Sequence, residues 1–271
     1  ANEENTLDLE MAGSLAPGAS IYNVYSPGTT FSYLLEDFAF ILNPNSSVSN
    51  LKNVSVITNS WGSNAITNSS MRQYLEEAQA RGITVLASSG DSGDNPASSK
   101  YVGTVNSFPA MCRFNDCGVT SVGGTTLTLK SNLAIKNQIA WNISSKDTAD
   151  SGPAGSAGGI CTNLTEPVWE NSTEANVIIR GRGLGIPDIA AIANNTLVLI
   201  SINGSTGNYI FWGTSIASPV TAGLVAEMDA VLKYYNGSNV GFLNPMLFKL
   251  ANMQLYGSNS GKNTGSIDSG A

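Results

Sequence analysis

Short runs of apolar and β-branched residues alternate with longer amphipathic windows along most of this 271-residue chain. Strands that alternate with helices are typical of a parallel sheet, because a parallel pair needs a crossover connection and the crossover is usually a helix. Crossover helices pack on the faces of such a sheet. The sequence therefore predicts an α/β fold, with a parallel sheet flanked by helices on both faces.

The pattern assigns particular elements to the chain. Predicted helices cover about 4–15, 31–43 and 67–82, and a long helix begins near residue 215. Predicted strands cover 20–27, 53–62, 83–95, 197–204 and 208–213, the second and third of which run into loops. Residues 95–165 form an irregular stretch with hairpin-like pieces. We expect one domain over 1–271, with a mobile tail at 257–271.

The chain carries few charges of either sign. Charged residues make up 12% of it and the formal net charge is −7, against about 25% charged residues in ordinary soluble domains. Phosphate binding needs clustered Lys and Arg, which are scattered here, so nucleic acid is not an expected partner. Few carboxylates also mean few groups whose protonation destabilises the fold in acid. The composition favours an acidic environment.

Glycosylation sequons, Asn-x-Ser/Thr, are dense in this chain and fall mostly in segments that read as loops or helix starts. They begin at Asn45, Asn53, Asn68, Asn142, Asn163, Asn171, Asn194, Asn203 and Asn236. A chain rich in Asn, Ser and Thr also makes sequons by chance. We favour secretion, with N-linked glycans and an extracellular location. The polar start "ANEENTLDLE" is not a signal peptide, so a leader is expected to have been removed.

The three cysteines are compatible with an extracellular protein without proving it. Cys112 and Cys117 bracket a short loop that a disulfide would close, which leaves Cys161 unpaired or facing a partner outside this chain. A zinc site is less favoured, because two neighbouring thiols and one distant thiol, with no histidine in the chain, do not make a convincing set of four tetrahedral ligands. No run of eighteen apolar residues occurs, so no membrane span is expected.

The segment "WGTSIASP" places Ser215 where a predicted strand turns into a helix. Unpaired N–H groups and the dipole at a helix N-terminus favour negative charge that develops there. Pro219 lies early in the helix, where a missing N–H costs little. Ser215 is therefore either a nucleophile or an ordinary helix cap. A nucleophilic serine needs a base, and the chain has no histidine.

Three motifs together resemble the sedolisins, or serine-carboxyl peptidases, which have a subtilisin-like fold and act in acid. These are "ENTLD" with Glu4 and Asp8, "SSGDSG" with Asp91, and "GTSIASP" with Ser215. The blocks "EMAGSLAPGASI", "NSWG", "FPA", "TSVGGTTL" and "GRGLGIPDIAA" follow in the family's order. The resemblance implies that Ser215 is the nucleophile, Glu4 its base, Asp8 the group that orients Glu4, and Asp91 a donor in the oxyanion hole.

Elementary geometry agrees with the acid pair. Residues four apart share one helical face, so Glu4 and Asp8 are expected to share a proton and to titrate as a unit. The alternative is two solvated acids in a first helical turn, where acids are favoured anyway. For substrate binding the resemblance suggests Ser60, Trp61, Gly62 and Gly90, with peptide added along a strand edge. The alternative interpretation of Trp61 is that its side chain lies in the hydrophobic core.

The chain departs from the family at both ends. Sedolisins have a substantial segment upstream of the catalytic Glu, which suggests that another piece of the same precursor supplies it or that the sequence is truncated. They also bind a calcium ion near the C-terminus, but here Asp268 is too weak a match to assign, so the ligands are not identifiable. In "PDIAA", Asp188 is expected to be structural rather than catalytic.

The sequence therefore predicts a secreted, acid-active serine peptidase. Whether it cleaves internal bonds or removes tripeptides is left open. The alternative is a non-catalytic, glycosylated surface protein that retains the peptidase fold. The joint presence of Glu4, Asp8, Asp91 and Ser215 disfavours this alternative, because a fold freed from catalysis is expected to lose at least one of them.

Overall fold

The computed structural model describes residues 2–28, 30–62, 69–94, 108–143, 154–162, 164–171, 183–202 and 204–256. The α-helices are α1 (Asn2–Leu15), α2 (Phe31–Leu42), α3 (Ser69–Ala80), α4 (Val168–Asn171), α5 (Thr214–Asn236) and α6 (Asn244–Tyr256), and a 3-10 helix covers Ser46–Asn53. The strands are β1 (Val56–Asn59), β2 (Thr84–Ser88), β3 (Ser92–Asp94), β4 (Thr120–Leu129), β5 (Ile135–Ala140), β6 (Asn142–Ile143), β7 (Ala154–Cys161), β8 (Leu184–Ile186), β9 (Ile189–Ile192), β10 (Thr196–Ile202) and β11 (Ser205–Phe211).

The main sheet is parallel over four strands. β1 pairs with β2, β2 with β4, and β4 with β9. β5 then returns antiparallel along the second half of β4. A smaller sheet joins β3, β7, β6 and β8, and β10 and β11 form an antiparallel hairpin. The carboxyl ends of the parallel strands lie at the same end of the sheet. The loops after β1 and β2 meet the start of α5 there.

Helices cover both faces of the main sheet. Side chains of consecutive strand residues point to opposite faces, and all five residues of β2 are buried. Val85 and Ala87 pack in a cluster with residues of α2 and α3, whereas Leu86 packs in a second cluster with residues of α5. A parallel strand buried on both faces favours apolar residues at consecutive positions, which explains the apolar residues 85–87 of β2. The buried hydroxyl of Thr84 is satisfied by a 2.6 Å hydrogen bond to the C=O of Gly241. The predicted fold class is confirmed.

The strand predicted at 20–27 does not form. This segment has no regular structure, and Ile21, Tyr22 and Tyr25 are 40%, 45% and 75% exposed. A strand is stable only when its N–H and C=O groups pair with a neighbour. No described strand lies beside this segment to pair with it, so its strand-forming residues stay without a ladder.

The disulfide considered for the 112–117 loop is not formed, and the side chains of all three cysteines are buried. The loop is a hairpin in which Arg113 lies opposite Gly118. This register places Cys112 opposite Val119 rather than opposite Cys117. Cα atoms of such diagonal neighbours are about 7–8 Å apart, beyond the usual limit of about 6.8 Å for a disulfide.

α5 is the one helix of the described ranges that is long and apolar enough, by length and composition alone, to cross a membrane. More than half of this stretch is buried inside the protein, where it packs on the main sheet and on α1. That position is usual for a core helix, and it explains the apolar composition of α5 without a bilayer.

A buried charge cluster ties the 108–118 hairpin to the main sheet. The Arg113 guanidinium is ion-paired with Asp188, and its Nη1 lies 3.7 Å from Oε2 of Glu170. All three side chains are fully buried. Asp188 also accepts a 2.7 Å hydrogen bond from the N–H of Ser121 in β4. One cation thus faces two carboxyl groups, and burial raises the pKa of Glu170 to about 7. These contacts agree with the structural role expected for Asp188.

This cluster predicts that Glu170→Gln changes how stability depends on pH. Because the folded pKa of Glu170 is about 7 and its ordinary value is 4.5, the stability that its neutral form provides is complete below 4.5 and is lost as pH rises through 7. The cost is about 1.4 kcal/mol per pH unit within that window. We expect the free energy of unfolding of Glu170→Gln to fall less between pH 4 and pH 8 than that of the wild type.

Chemical denaturation at the two pH values measures the difference. The matched control is Glu36→Gln, since Glu36 is exposed and its substitution should leave the pH dependence as it is. Equal pH dependence in Glu170→Gln and the wild type would contradict the raised pKa.

Candidate active site

Ser215 lies in the first turn of α5, directly after a turn that only glycine accommodates easily. Gly213 has φ +139°, and a Cβ there would lie 3.0 Å from Oδ2 of Asp91. The turn connects β11 to the helix and is fixed by the N–H of Gly213, which donates to the C=O of Ala193 over 2.8 Å. Thr214 is buried whereas Ser215 is half-buried. The fold thus presents the Ser215 hydroxyl at a helix N-terminus.

Close packing of α1 against α5 brings the acid pair to this serine. A Cβ on Gly223 would lie 2.7 Å from the C=O oxygen of Ala12 and 2.7 Å from Cβ of Leu15, so the two helices approach more closely than any larger residue allows. Leu7 and Met11 of α1 are buried in a cluster that includes residues of α5. The helix predicted at 4–15 is confirmed, and it brings the Glu4 carboxyl group near the Ser215 hydroxyl.

Burial dominates the electrostatics of the pair. It raises the pKa of Glu4; the hydrogen bond from Ser215 opposes this rise and the negative charge of Asp91 adds to it. Burial also raises the pKa of Asp8 to about 7, against a hydrogen bond from Ser60 and with the charge of Glu4. Oε1 of Glu4 is buried and accepts no hydrogen bond in the described part of the chain. In acid the pair therefore holds at least one proton and keeps an acceptor oxygen available.

Asp91 joins the end of β2 to the start of α5. Its Oδ1 accepts hydrogen bonds from the N–H of Thr214 at 2.7 Å and from the Thr214 hydroxyl at 2.8 Å. Burial raises the pKa of Asp91, and both hydrogen bonds from Thr214 oppose the rise. Since both donors bind Oδ1, the other oxygen, Oδ2, is the one that lies beside Gly213. A protonated Asp91 would carry its proton on this oxygen.

Ser60 follows β1 and connects the acid pair to the serine. Its hydroxyl donates to Oδ1 of Asp8 over 2.6 Å, and its C=O accepts from the Ser215 hydroxyl over 3.3 Å. Sequence reasoning assigned Ser60 to substrate binding and did not find this contact. Trp61 is 37% exposed, which agrees better with the rim of a cleft than with the core, and Gly62 is also exposed.

The main chain of Gly90 is already paired. Its N–H donates to the Thr214 hydroxyl over 3.0 Å and its C=O accepts from Ala157 over 2.7 Å. Its predicted contact with substrate stays a prediction. Thr214 was not singled out from the sequence either, although it stands inside the "GTS" motif, and the structure shows that it holds both Gly90 and Asp91.

The described residues contain no group of three or more Asp, Glu, Cys or His side chains placed to hold a metal ion. Asp268, the weak calcium match, lies outside the described residues. The calcium ion is thus an expectation without identified ligands in the described residues.

The chain is similar to known peptidases. The model of the subtilase family matches residues 1–243. Kumamolisin from Bacillus sp. is 31% identical over 256 residues, which are 91% of this chain and 42% of kumamolisin. Tripeptidyl-peptidase sed4 from Aspergillus fumigatus is 29% identical over 190 residues, 63% of this chain and 28% of that protein. The chain therefore spans less than half the length of either relative.

A solved structure matches the fold itself. Pseudomonas sedolisin, a serine-carboxyl proteinase solved in complex with pseudo-iodotyrostatin, superposes with a TM-score of 0.70 at 24% identity. The match covers 95% of this chain and 67% of the sedolisin chain. The order of parallel strands and covering helices is thus shared with a subtilisin-like fold.

The α1–α5 contact predicts a specific effect of Gly223→Ala. Alanine favours a helix over glycine by about 1 kcal/mol, but here its Cβ would meet a main-chain oxygen that cannot move aside alone. Overpacking of this kind costs about 1–3 kcal/mol. We expect lower stability and, because α1 moves outward and admits water, a pKa of Asp8 closer to its ordinary 3.8.

Chemical denaturation and a carboxyl-carbon NMR titration of Asp8 measure the two effects. Gly18→Ala is the matched control, since a Cβ there has nothing within 4 Å. A Gly223→Ala protein with wild-type stability and an unchanged pKa of Asp8 would show that the two helices are not held this closely.

Proposed function

Because this chain belongs to the subtilase family and is similar to the sedolisin-type peptidase kumamolisin, we propose that it is an acid-active serine-carboxyl peptidase. One observation carries the proposal. Glu4, Asp8 and Asp91 come from two separate parts of the chain, and the fold gathers them around Ser215 at the start of α5. An arrangement of buried acids around a serine supplies a base where histidine is absent.

In the proposed reaction, Glu4 accepts the proton of Ser215 while Oγ attacks the carbonyl carbon of the peptide bond. The C–N bond then breaks, the leaving amine takes the proton from Glu4, and an acyl-enzyme remains. Water, deprotonated by Glu4, then attacks the acyl carbon. The ester bond to Oγ breaks, Oγ takes the proton back from Glu4, and the second product leaves as a carboxylic acid. Asp8, whose pKa is about 7, keeps its own proton in acid and so leaves Glu4 as the member of the pair that ionises.

Negative charge that develops on the carbonyl oxygen needs donors. Asp91 serves as one while its carboxyl group is neutral, a state that burial favours by raising its pKa. The N-terminus of α5 adds the favourable end of a helix dipole. Asp91 thus acts while its carboxyl group is neutral, and Glu4 acts while its carboxyl group is ionised. The different surroundings of the two groups decide which one donates a hydrogen bond and which one accepts a proton, as in other enzymes.

The substrate is proposed to be a peptide or an unfolded protein that lies along Ser60, Trp61 and Gly62. An extended peptide binds there by hydrogen bonds to main chain that follows β1. The exposed face of Trp61 is available for a substrate side chain. Since several relatives are named tripeptidyl-peptidases, short peptides with a free N-terminus and denatured proteins are both substrates to assay.

We also propose an extracellular location with N-linked glycans. Asn45, Asn53 and Asn142 are exposed and therefore accessible to modification, and Asn194 is half-buried. The remaining sequons lie where the structure does not describe the Asn side chain, at 68, 163, 171, 203 and 236. The calcium ion, another fragment of the same precursor, and the absence of nucleic-acid partners stay proposals.

The mechanism predicts that Ser215→Ala abolishes turnover and that Glu4→Gln is nearly as severe, because the first removes the nucleophile and the second keeps the shape of the base without its charge. Cleavage of a denatured protein at about pH 3–4, close to ordinary carboxyl pKa values, measures the loss. Glu36→Gln, on the exposed side of α2, is the control and should retain activity. Near-normal turnover by either folded site variant would count decisively against this mechanism.

A sharper prediction concerns Asp91→Asn. Asparagine retains an acceptor for Thr214 and donates a hydrogen bond at any pH, whereas Asp91 donates only while it is protonated. Even where the variant turns over more slowly, the alkaline limb of its single-turnover acylation rate should move to higher pH or flatten. A limb at the wild-type position would mean that the Glu4–Asp8 pair or acid-dependent folding sets the upper pH limit, and the role of Asp91 would be withdrawn.

A further inference from the structure

Two hydrogen bonds from one residue converge on a single oxygen of Asp91. The N–H and the hydroxyl of Thr214 both donate to Oδ1, over 2.7 Å and 2.8 Å. A carboxyl oxygen accepts at two lone pairs, so these two bonds occupy both lone pairs of Oδ1. The proton of a neutral Asp91 is therefore left with one position, on Oδ2.

The direction of the Thr214 hydroxyl is fixed as well. A threonine hydroxyl has one proton to donate and lone pairs that accept, and here Oγ1 accepts from the N–H of Gly90 over 3.0 Å. Gly90 thus occupies one side of Oγ1, and the proton of the hydroxyl points to Asp91. The hydrogen bonds run in one direction, from Gly90 to Thr214 and from Thr214 to Asp91.

Packing of the Thr214 side chain holds its hydroxyl in this place. Thr214 is 1% exposed, and a Cβ on Gly124 of β4 would lie 3.4 Å from Cγ2 of Thr214. The methyl group and the hydroxyl leave the same carbon, and a β-branched side chain has few choices of χ1. The contact of the methyl group with β4 therefore also keeps the hydroxyl turned toward Asp91.

The other oxygen of Asp91 faces a residue without a side chain. A Cβ on Gly213 would lie 3.0 Å from Oδ2, so any other residue at 213 would crowd this oxygen. Gly213 thus leaves Oδ2 uncovered on this side, two residues before Ser215. A proton on Oδ2 is on the oxygen that the turn before α5 leaves open.

We propose that Thr214 is a positioning residue for the oxyanion hole, because its hydroxyl directs the carboxyl proton of Asp91 to Oδ2, the oxygen that donates to the substrate carbonyl. The proposal rests on the proposed peptidase function, in which Asp91 donates while it is neutral. Without the hydroxyl, one lone pair of Oδ1 becomes available. The proton is then divided between two oxygens, of which one serves the reaction.

Removal of the hydroxyl by Thr214→Val tests this role, because valine keeps the shape of the side chain. We expect the single-turnover acylation rate at about pH 3–4 to fall about tenfold, less than the loss of about 10²–10³-fold that follows removal of a whole oxyanion donor. The hydrogen bond from the hydroxyl also lowers the pKa of Asp91, against the larger effect of burial. Its loss should raise this pKa and move the alkaline limb of the rate to higher pH.

A loosened site would shift the pKa of Asp91 in the opposite direction. Burial is the largest cause of its raised value, so water admitted by poor packing would bring it closer to the ordinary 3.8. Among the described side chains, Glu4 on α1 is the titratable group whose charge acts on Asp91, and Asp8 in turn faces Glu4. Carboxyl-carbon NMR follows the titration of Asp91 separately from these two.

Serine and alanine at position 214 repeat the comparison without the methyl group. Thr214→Ser and Thr214→Ala both lose the contact with β4, and the hydroxyl is what distinguishes them. We expect acylation to be about tenfold faster in Thr214→Ser than in Thr214→Ala, and this pair decides the question if Thr214→Val does not fold. Thr128→Val, the same exchange at an exposed position of β4, is the control and should change neither the rate nor the pKa of Asp91.

The Asp91→Asn background provides the second arm. The amide has one accepting and one donating end, and the N–H of Thr214 alone keeps the accepting end toward α5. Thr214→Val should therefore slow acylation much less in this background than in the wild type, a coupling that a double-mutant cycle measures.

Three results would overturn the proposal: an equal loss in both backgrounds, a pKa of Asp91 that falls in Thr214→Val, or a Thr214→Ser protein as slow as Thr214→Ala. The NMR titration needs no turnover. A chain without peptidase activity would refute the proposed function alone, and the pKa of Asp91 in Thr214→Val would still test the hydroxyl.

Discussion

The contact between α1 and α5 is the interaction on which the site depends. Because Gly223 has no side chain, α5 comes so close to Ala12 and Leu15 of α1 that one added methyl group would prevent the contact. α5 fixes Ser215 and α1 fixes Glu4 and Asp8, so their distance is a packing property rather than a property of any single motif. Buried Leu7 and Met11 supply the apolar area that holds α1 in place.

Burial of carboxyl groups is the second recurring feature of this molecule. Glu4, Asp8 and Asp91 all have raised pKa values with burial as the largest cause. Raised folded values mean that the native state holds protons that the unfolded chain releases, so stability falls as pH rises through them. Glu170 beside Arg113 follows the same rule far from any motif. The described fold thus contains several carboxyl groups whose neutral form is favoured by burial.

The sequence predicted the elements better than the contacts. Helices α1, α2, α3 and α5 and the fully buried strand β2 follow from periodicity, because their residues carry the pattern within one segment. The predicted strand at 20–27 failed because a strand is completed by a neighbour that its own residues do not encode. The hydrogen bonds of Ser60 and Thr214 were missed for a related reason, since each joins segments far apart in the chain. A motif identifies reacting groups, and tertiary structure decides what holds them.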